Sequence, residues 1–554
     1  MSNQTKYDTF RQTFPEFVYE KYGYDVQPDG LHIVFRFRIG DICFQPTAFI
    51  PARRFLHFEQ PMAILDKLVF NIGMIELVSY WKCYCPPIVR VECGTLDDSQ
   101  VAFWKKIYFN GLGEFFYTNG IAATMEEFMT MENGEWRMEN VHTPVFDHPS
   151  KEGTRAERIE NGELRFENYP GAEKIENGEW RMGNVHTPVF DHPSKEGTGA
   201  AANSQFSILN SQFKNDSQFS TLRKASEEGK SQDLHYSEPK QCFEEILNSQ
   251  FKYLLPIGGG KDSVVTLELL SELGRERIIP LIMNPRGATV GCIEAANYTM
   301  DDVLVIHRTI DPLLLQLNSQ GCLNGHTPFS AMLAFYTLLA AQLSGHCRIA
   351  LSNENSANES TVVGTSVNHQ YSKSLEFEND FRRYVAEHIS PDYGYFSFLR
   401  PLSELQIAML FSRFEKYYDI FRSCNAGSKQ DVWCGKCAKC LFAYIILSPF
   451  IPPERLNGIF GKSMLDDMEL KPYFDQLLGH AETKPFECVG TIGEVQAALS
   501  MTLRRWYGDS RPALLKDYRS VPLSDAMLRT LSTEHNLNDQ ELALLRRHVQ
   551  ARAI

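Results

Sequence analysis

Apolar and polar residues alternate from Leu31 to Phe37 (LHIVFRF), which predicts a strand with one buried face. From Ile64 to Trp81 the apolar positions run far longer than a strand and predict a buried helix. An aromatic-rich stretch, Phe103 to Ile121 (FWKKIYFNGLGEFFYTNGI), closes this mixed pattern, so residues 1–128 read as an α+β domain. Between residues 241 and 455 short apolar runs alternate with helical patterns: YLLPI, SVVTLELLSELG, IIPLIM, DVLVI, a long helix, then RIAL. Strands that alternate with helices predict an α/β fold with a parallel sheet. Residues 456–554 are helical in pattern, as in Glu494 to Trp506 and Asp539 to His548, carry no chemical motif, and read as packing.

The stretch between these blocks differs in kind. Glu132 to Thr154 (ENGEWRMENVHTPVFDHPSKEGT) returns as Glu176 to Thr198 with one change, Glu139 to Gly183, and SQF recurs between Asn203 and Phe219. These repeats lack a period of 2 or 3.6 and the apolar faces that stacked solenoid units need. Residues 129–240 are therefore expected to form an insertion of low structural content.

Composition narrows the class of protein. A chain of 554 residues exceeds one core, and 43% hydrophobic with 22% charged residues excludes collagen-like or wholly disordered proteins. The net charge of −14 offers no broad positive field for nucleic acid. The first residues, MSNQTKYDTFRQTFPEF, lack the pattern of a signal peptide, and no apolar stretch approaches the roughly 18 residues of a spanning helix. A cytoplasmic protein without a membrane or nucleic-acid partner is expected; the oligomeric state is not encoded in any motif. Thirteen cysteines in such a chain suggest reduced thiols and a metal site rather than a disulfide framework.

The strongest motif is Gly258, Gly259, Gly260, Lys261, Asp262 and Ser263, placed between an apolar strand and a helical pattern. Glycines let the backbone approach a ligand closely, and the helix start aims free N–H groups and a positive dipole end at an anion. Asp262 and Ser263 also suit helix capping, and Lys261 can add a mobile charge for phosphate. Neither GxxxxGK[ST] nor GxGxxG fits. The loop resembles the SGGxDS signature of the PP-loop ATP pyrophosphatases, with Gly258 in place of Ser. That resemblance implies cleavage of ATP to AMP and pyrophosphate with adenylation of a carboxylate or carbonyl oxygen. It also implies an adenine site near Met283 and Asn284, after the second strand of the sheet.

Cys424, Cys434, Cys437 and Cys440 follow the spacing C-x9-C-x2-C-x2-C. Four thiolates so close suit a closed, structural zinc site, while an iron-sulfur cluster is the rival reading of C-x2-C-x2-C. The pattern resembles the zinc knuckle of the PP-loop enzymes that make 7-cyano-7-deazaguanine. The other cysteines lack a partner spacing and read as small buried hydrophobes.

Two polar segments follow the strand RIAL: Ser352 to Ser360 (SNENSANES) and Asn368 to Ser374 (NHQYSKS). Both should open at the sheet edge that carries the glycine loop, where His369, Lys373, Glu354 and Glu359 are the candidates for proton transfer. Thr327 and Pro328 predict a helix start with His326 as a local hydrogen-bond partner, and Ser403 with Gln406 predicts a capping box.

Together, FNIGMIELVSYWK, YFNGLGEFFYTNGI, PIGGGKDSVVTLELL, NGHTPFSA, SNENSANES, NHQYSKSLEFE and the cysteine knuckle resemble the MurL family of UDP-N-acetylmuramoyl-L-alanyl-L-glutamate epimerases. The resemblance implies an ATP- and magnesium-dependent isomerase that inverts the terminal L-glutamate of a nucleotide-sugar dipeptide in peptidoglycan precursor synthesis. The alternative is a carboxylate-adenylating ligase resembling 7-cyano-7-deazaguanine synthase.

Overall fold

The computed structural model describes residues 1–54, 62–134, 172–174, 180–182, 252–362, 364–507, 510–524 and 526–551. The chain divides into one compact unit of Met1–Val145 with Ser249–Ile554 and a second of Phe146–Asn248.

In the first unit, β1 (Glu16–Gln27), β2 (Gly30–Ile39), β3 (Ile42–Phe44), β4 (Thr47–Pro51), β5 (Ile88–Val91) and β6 (Thr130–Asn133) build one half of a sheet. The alternation read in the sequence is the pleat of β2: Leu31, Ile33, Phe35, Phe37 and Ile39 are all buried. β6 uses Thr130–Asn133, so the first residues of the expected insertion continue the sheet, pairing parallel to β5. In the second unit β7 (Ala172–Lys174) pairs antiparallel with β8 (Trp180–Met182); the remainder of the repeats from residue 135 onward lies outside the described residues.

The other half of the sheet consists of β9 (Tyr253–Pro256), β10 (Ile278–Met283), β11 (Leu304–Arg308), β12 (Arg348–Leu351) and β13 (Gly394–Ser397). These five run parallel in the order β13-β12-β9-β10-β11, and β11 then meets β4 antiparallel through His307 opposite Phe49 and Arg308 opposite Ala48. The result is an α/β fold around one large mixed sheet. Behind the seam, the buried Arg308 guanidinium pairs with Glu76, which also accepts a hydrogen bond from the Tyr336 hydroxyl at 3.1 Å. Glu76 lies on the helix Met62–Trp81, which packs against the helix Phe329–Ser344. Both helices are apolar over most of their surface because both are buried.

From β9 the chain builds β10 and β11 to one side, then crosses back to place β12 and β13 on the other. Open α/β sheets bind ligands where the order reverses in this way, beyond the carboxyl ends of the strands. Here that point lies between β9 and β12. Helices of the last hundred residues cover the opposite core, and the final one, Asp539–Gln550, is tied to β12 by a bidentate pair between Arg348 and Glu541, both contacts 2.6 Å. No helix among the described residues is long and apolar enough to cross a membrane.

Candidate active site

The glycine loop leaves β9 at the reversal point. Gly259 has φ +80°, and a Cβ there would come within 3.1 Å of the Ala288 carbonyl carbon and the Thr289 nitrogen, so the turn requires glycine. Gly260 is the N-cap of the helix Lys261–Leu270, and no side chain caps that helix. The expectation that Asp262 or Ser263 would satisfy the first-turn amides is not met: Ser263 donates back to the Gly260 carbonyl at 3.0 Å, and Asp262 faces Lys261. A helix start left without a cap is suited to an anion.

Lys261 departs from the mobile cation read in the sequence. It is 5% exposed, and its ammonium is held between Asp262 and Glu404. Burial opposes its charge, but the two carboxylates outweigh that and keep its pKa above the ordinary lysine range. Burial pushes the Glu404 carboxyl up to about 8, with Asp262 and Glu354 adding to the shift against Lys261. Burial also works to raise Asp262, yet Lys261, Lys439 and Lys373 hold it below the usual carboxylate range. Asp262 is thus the lasting anion of the pair and Glu404 the readier proton holder.

Met283 ends β10, and Asn284, with φ +51°, fastens that end to β11 by accepting from the Arg308 amide at 2.8 Å and donating to its carbonyl at 2.9 Å. The polar segments after β12 are pinned by Arg400, which is fully buried. Its guanidinium donates to the Glu354 carbonyl at 2.5 Å and to the Lys373 carbonyl, and lies 3.3 Å from Glu378. Glu354 is itself buried, whereas Glu359 is paired with Lys484 at 2.9 Å. Ser403 and Gln406 form the capping box that their spacing predicts.

His369 is drawn into a cluster that no local pattern announces. Its Nδ1 is hydrogen-bonded to Glu114, on the helix Gly113–Asn119, and its charge interacts with that of Cys488. Lys373 donates to the Cys488 sulfur at 3.1 Å. Burial works against the His369 charge, but Cys488 and Glu114 raise its pKa to about 9. Burial would raise the Cys488 thiol; Lys373, His369 and Lys439 instead bring it down to about 5. Beside them Gln370 donates to the Val489 carbonyl at 3.1 Å, while its buried Oε1 has no hydrogen-bond partner among the described residues.

His326 is not the local partner that its position suggested. Its Nδ1 lies 3.3 Å from Glu114 and its ring 4.6 Å from that of His369. Burial and the neighbouring His369 push its pKa down to about 4. Thr327 does not cap the following helix, because its hydroxyl accepts from Lys82 at 2.5 Å. The C-terminal segment also does more than pack: it contributes Cys488 and Lys484, and Glu494 accepts from the Glu404 amide at 2.7 Å. Cys488 is only partly buried and engages charged groups, contrary to its reading as a small hydrophobe. Its sequence signal was slight: a cysteine in the polar, glycine-ended loop KPFECVG rather than in an apolar run.

The four knuckle sulfurs converge. Cys424 and Cys437 are 3.8 Å apart, Cys434 and Cys440 3.7 Å, and Cys437 and Cys440 3.5 Å. Sulfurs about 2.3 Å from one tetrahedral ion stand about 3.8 Å from one another. Backbone amides of Gly427, Lys436 and Cys440 point at the sulfurs of Cys424, Cys434 and Cys437, and Gly435 makes the knuckle turn at φ +65°. This site can hold one metal ion, and its donor set suits zinc. The knuckle also braces both halves of the crevice. The Arg422 amide donates to the Gly259 carbonyl at 2.8 Å, Asp431 accepts from the amides of Gly287 and Ala288, and Lys439 donates to the Cys488 carbonyl.

A family model described as the MurL N-terminal domain matches residues 8–149 and 214–398, and one for the MurL C-terminal domain matches residues 420–522. Among curated proteins, the chain is 40% identical over 260 residues to the UDP-N-acetyl-alpha-D-muramoyl-L-alanyl-L-glutamate epimerase of a Micromonospora species, a match covering 46% of this chain and 57% of that one. The identically named protein of Salinispora tropica is 41% identical over 255 residues, covering 45% and 55%. That of Xanthomonas oryzae pv. oryzae is 40% identical over 267 residues, covering 46% and 58%. The chain thus spans little more than half the length of the curated relatives it matches. No solved structure matches it.

Proposed function

The chain belongs to the MurL family, and from that premise we propose that it is an ATP-dependent epimerase, which inverts the terminal L-glutamate of UDP-N-acetylmuramoyl-L-alanyl-L-glutamate. The observation that carries the ATP half is the uncapped helix start behind Gly258–Gly260 at the sheet's reversal point, beside an anchored lysine. A loop of this kind, in the PP-loop reading, receives the triphosphate, with the adenine toward Met283 and Asn284.

The chemistry has a physical reason to use ATP. An ionised carboxylate resists loss of its α-proton, because the carbanion would form beside a negative charge. Attack of the carboxylate oxygen on the α-phosphorus expels pyrophosphate and leaves an acyl-adenylate. Its carbonyl carries no formal charge, so the Cα–H becomes acidic. A base takes that proton, an acid on the other face returns one, and water then cleaves the mixed anhydride to AMP and the D-glutamyl product.

Residues of this chain divide that work. The first-turn amides of the helix Lys261–Leu270 bind the departing pyrophosphate, and the Lys261 charge stabilises it at close range. Asp262, whose side chain is 30% exposed, is the carboxylate able to hold the magnesium that accompanies ATP and neutralises its phosphates. Proton transfer falls to the cluster that the segment of His369 and Lys373 forms with Cys488, with the buried Glu354 in the same region. Glu359 is engaged with Lys484 and serves to fix its loop. The knuckle, with zinc in place, keeps the glycine loop and the Cys488 loop at a fixed spacing and has no open coordination position for chemistry.

The experiment is to incubate the protein with ATP, magnesium and a panel of carboxylate acceptors and to follow AMP. AMP release that depends on the muramoyl dipeptide supports the epimerase. AMP release that requires ammonia and a 7-carboxy-7-deazaguanine-like aromatic acid supports the ligase instead.

A further inference from the structure

A lysine and a carboxylate-held histidine gather around one sulfur. Lys373 approaches Cys488 Sγ at 3.1 Å, the His369 charge acts on the same sulfur, and Glu114 holds the His369 ring through Nδ1. The residues come from three distant parts of the chain, Glu114 before the insertion, His369 and Lys373 after β12, and Cys488 near the C-terminus. Such a constellation follows the general logic of an activated cysteine, in which sulfur meets imidazole and a third group orients the ring. Most buried cysteines, by contrast, sit among apolar side chains.

We propose that the Cys488 thiolate is the base that takes the glutamate α-proton, with Lys373 and the His369 imidazolium, oriented by Glu114, keeping the sulfur ionised. The proposal rests on the epimerase reading and deepens it. The protonation states agree with the geometry. At neutral pH the Cys488 sulfur is the acceptor of the cluster, while His369 and Lys373 both carry their protons and cannot begin by accepting one. His369 thus changes role, from candidate base to a cation that stabilises the thiolate. Lys373 is a positioning residue that keeps the sulfur ionised.

The step balances. The Cα–H bond breaks, its proton bonds to Sγ, and the electron pair moves into the acyl-adenylate carbonyl as an enolate. Cα then takes a proton from a water on its other face, and the thiol gives its own proton through solvent to the hydroxide so formed, which restores the thiolate. An α-carbon set between the sulfur and a water meets a base on one side and a proton donor on the other, as an inversion requires. The free acceptor Oε1 of Gln370, anchored beside Cys488 at Val489, is placed to receive the N–H of the peptide bond to be held there.

The test uses the full, zinc-loaded chain with Cys488→Ala and Cys488→Ser, and substrate deuterated at the glutamate α-carbon. ATP–pyrophosphate exchange reports adenylation, and release of deuterium to water reports the proton step. In both variants adenylation should stay within about 10-fold of wild type while deuterium release falls at least ~100-fold, the scale of a lost general base. Retained adenylation shows that the variants are folded. Deuterium release near the wild-type rate overturns the proposal, as does equal loss of both half-reactions. A covalent substrate adduct on Cys488 makes it a nucleophile instead, and a second metal ion bound where Glu114, His326 and His369 bring ligand atoms within 4.8 Å occupies the ring and also overturns it. Wild-type protein without substrate-dependent exchange would refute the epimerase reading itself, a separate result.

Discussion

The Lys373 ammonium donates to the Cys488 sulfur at 3.1 Å across 115 residues of sequence. An ammonium beside a sulfur favours the thiolate over the thiol. Replacing Lys373 with Met removes the largest influence that lowers the Cys488 pKa, so that value should climb from about 5 toward the ordinary thiol range. The pH dependence of iodoacetamide alkylation, read at Cys488 by peptide mass spectrometry, measures it. The alkylation midpoint should shift upward in Lys373→Met, and an unchanged midpoint would mean that the lysine does not control the sulfur.

Lys261 holds two carboxylates apart in a buried site. Lys261→Met leaves Asp262 and Glu404 facing each other without the cation, and we expect ATP–pyrophosphate exchange to fall ~100-fold or more, the scale of a lost electrostatic stabiliser. Glu404→Gln should cost less, because burial already brings Glu404 to about 8, so that it gives up its charge readily. Equal losses in the two variants would show that the Glu404 charge matters more than its position.

One zinc per chain is expected at Cys424, Cys434, Cys437 and Cys440 by elemental analysis. Because the knuckle holds the Gly259 carbonyl through Arg422 and the Cys488 carbonyl through Lys439, chelation should abolish adenylation and also slow alkylation of Cys488. Iron with visible absorption, or a fully active metal-free protein, would contradict a structural zinc.

The family model passes over residues 150–213, the stretch that holds the second repeat copy. Replacing those residues with a short Gly/Ser linker should leave turnover within about threefold of the full chain, since loop-closure cost grows only with the logarithm of length. The excision must begin after Gly134, because β6 pairs with β5 as far as Asn133 and Asn133 accepts from the Leu96 amide at 2.8 Å. A soluble, folded variant without activity would assign the arm a part in the site.

What the sequence made legible was local. The glycine loop announces itself because strand, glycines and helix are contiguous, and the knuckle because its four cysteines fall within 17 residues. The buried strands and the long apolar helix follow from periodicity. The acid–base cluster was only half visible: His369 and Lys373 stand in a conspicuous polar segment, but Glu114 lies 255 residues from His369 and Cys488 sits in an unremarked loop. Tertiary charge pairing also redirected local signals. Lys82 takes the Thr327 hydroxyl from a cap, and Glu404 turns Lys261 from a mobile cation into a buried strut.

The central claim is inversion of an activated glutamate by exchange of its α-proton, and one measurement addresses it most directly. The full chain is incubated with ATP, magnesium and UDP-N-acetylmuramoyl-L-alanyl-L-glutamate in deuterated water, and the product is examined for its glutamate configuration and mass. The account predicts D-glutamyl product with one deuterium at Cα, formed only with ATP and accompanied by AMP and pyrophosphate. Unchanged L-glutamyl dipeptide, or inversion that proceeds without ATP, would contradict it.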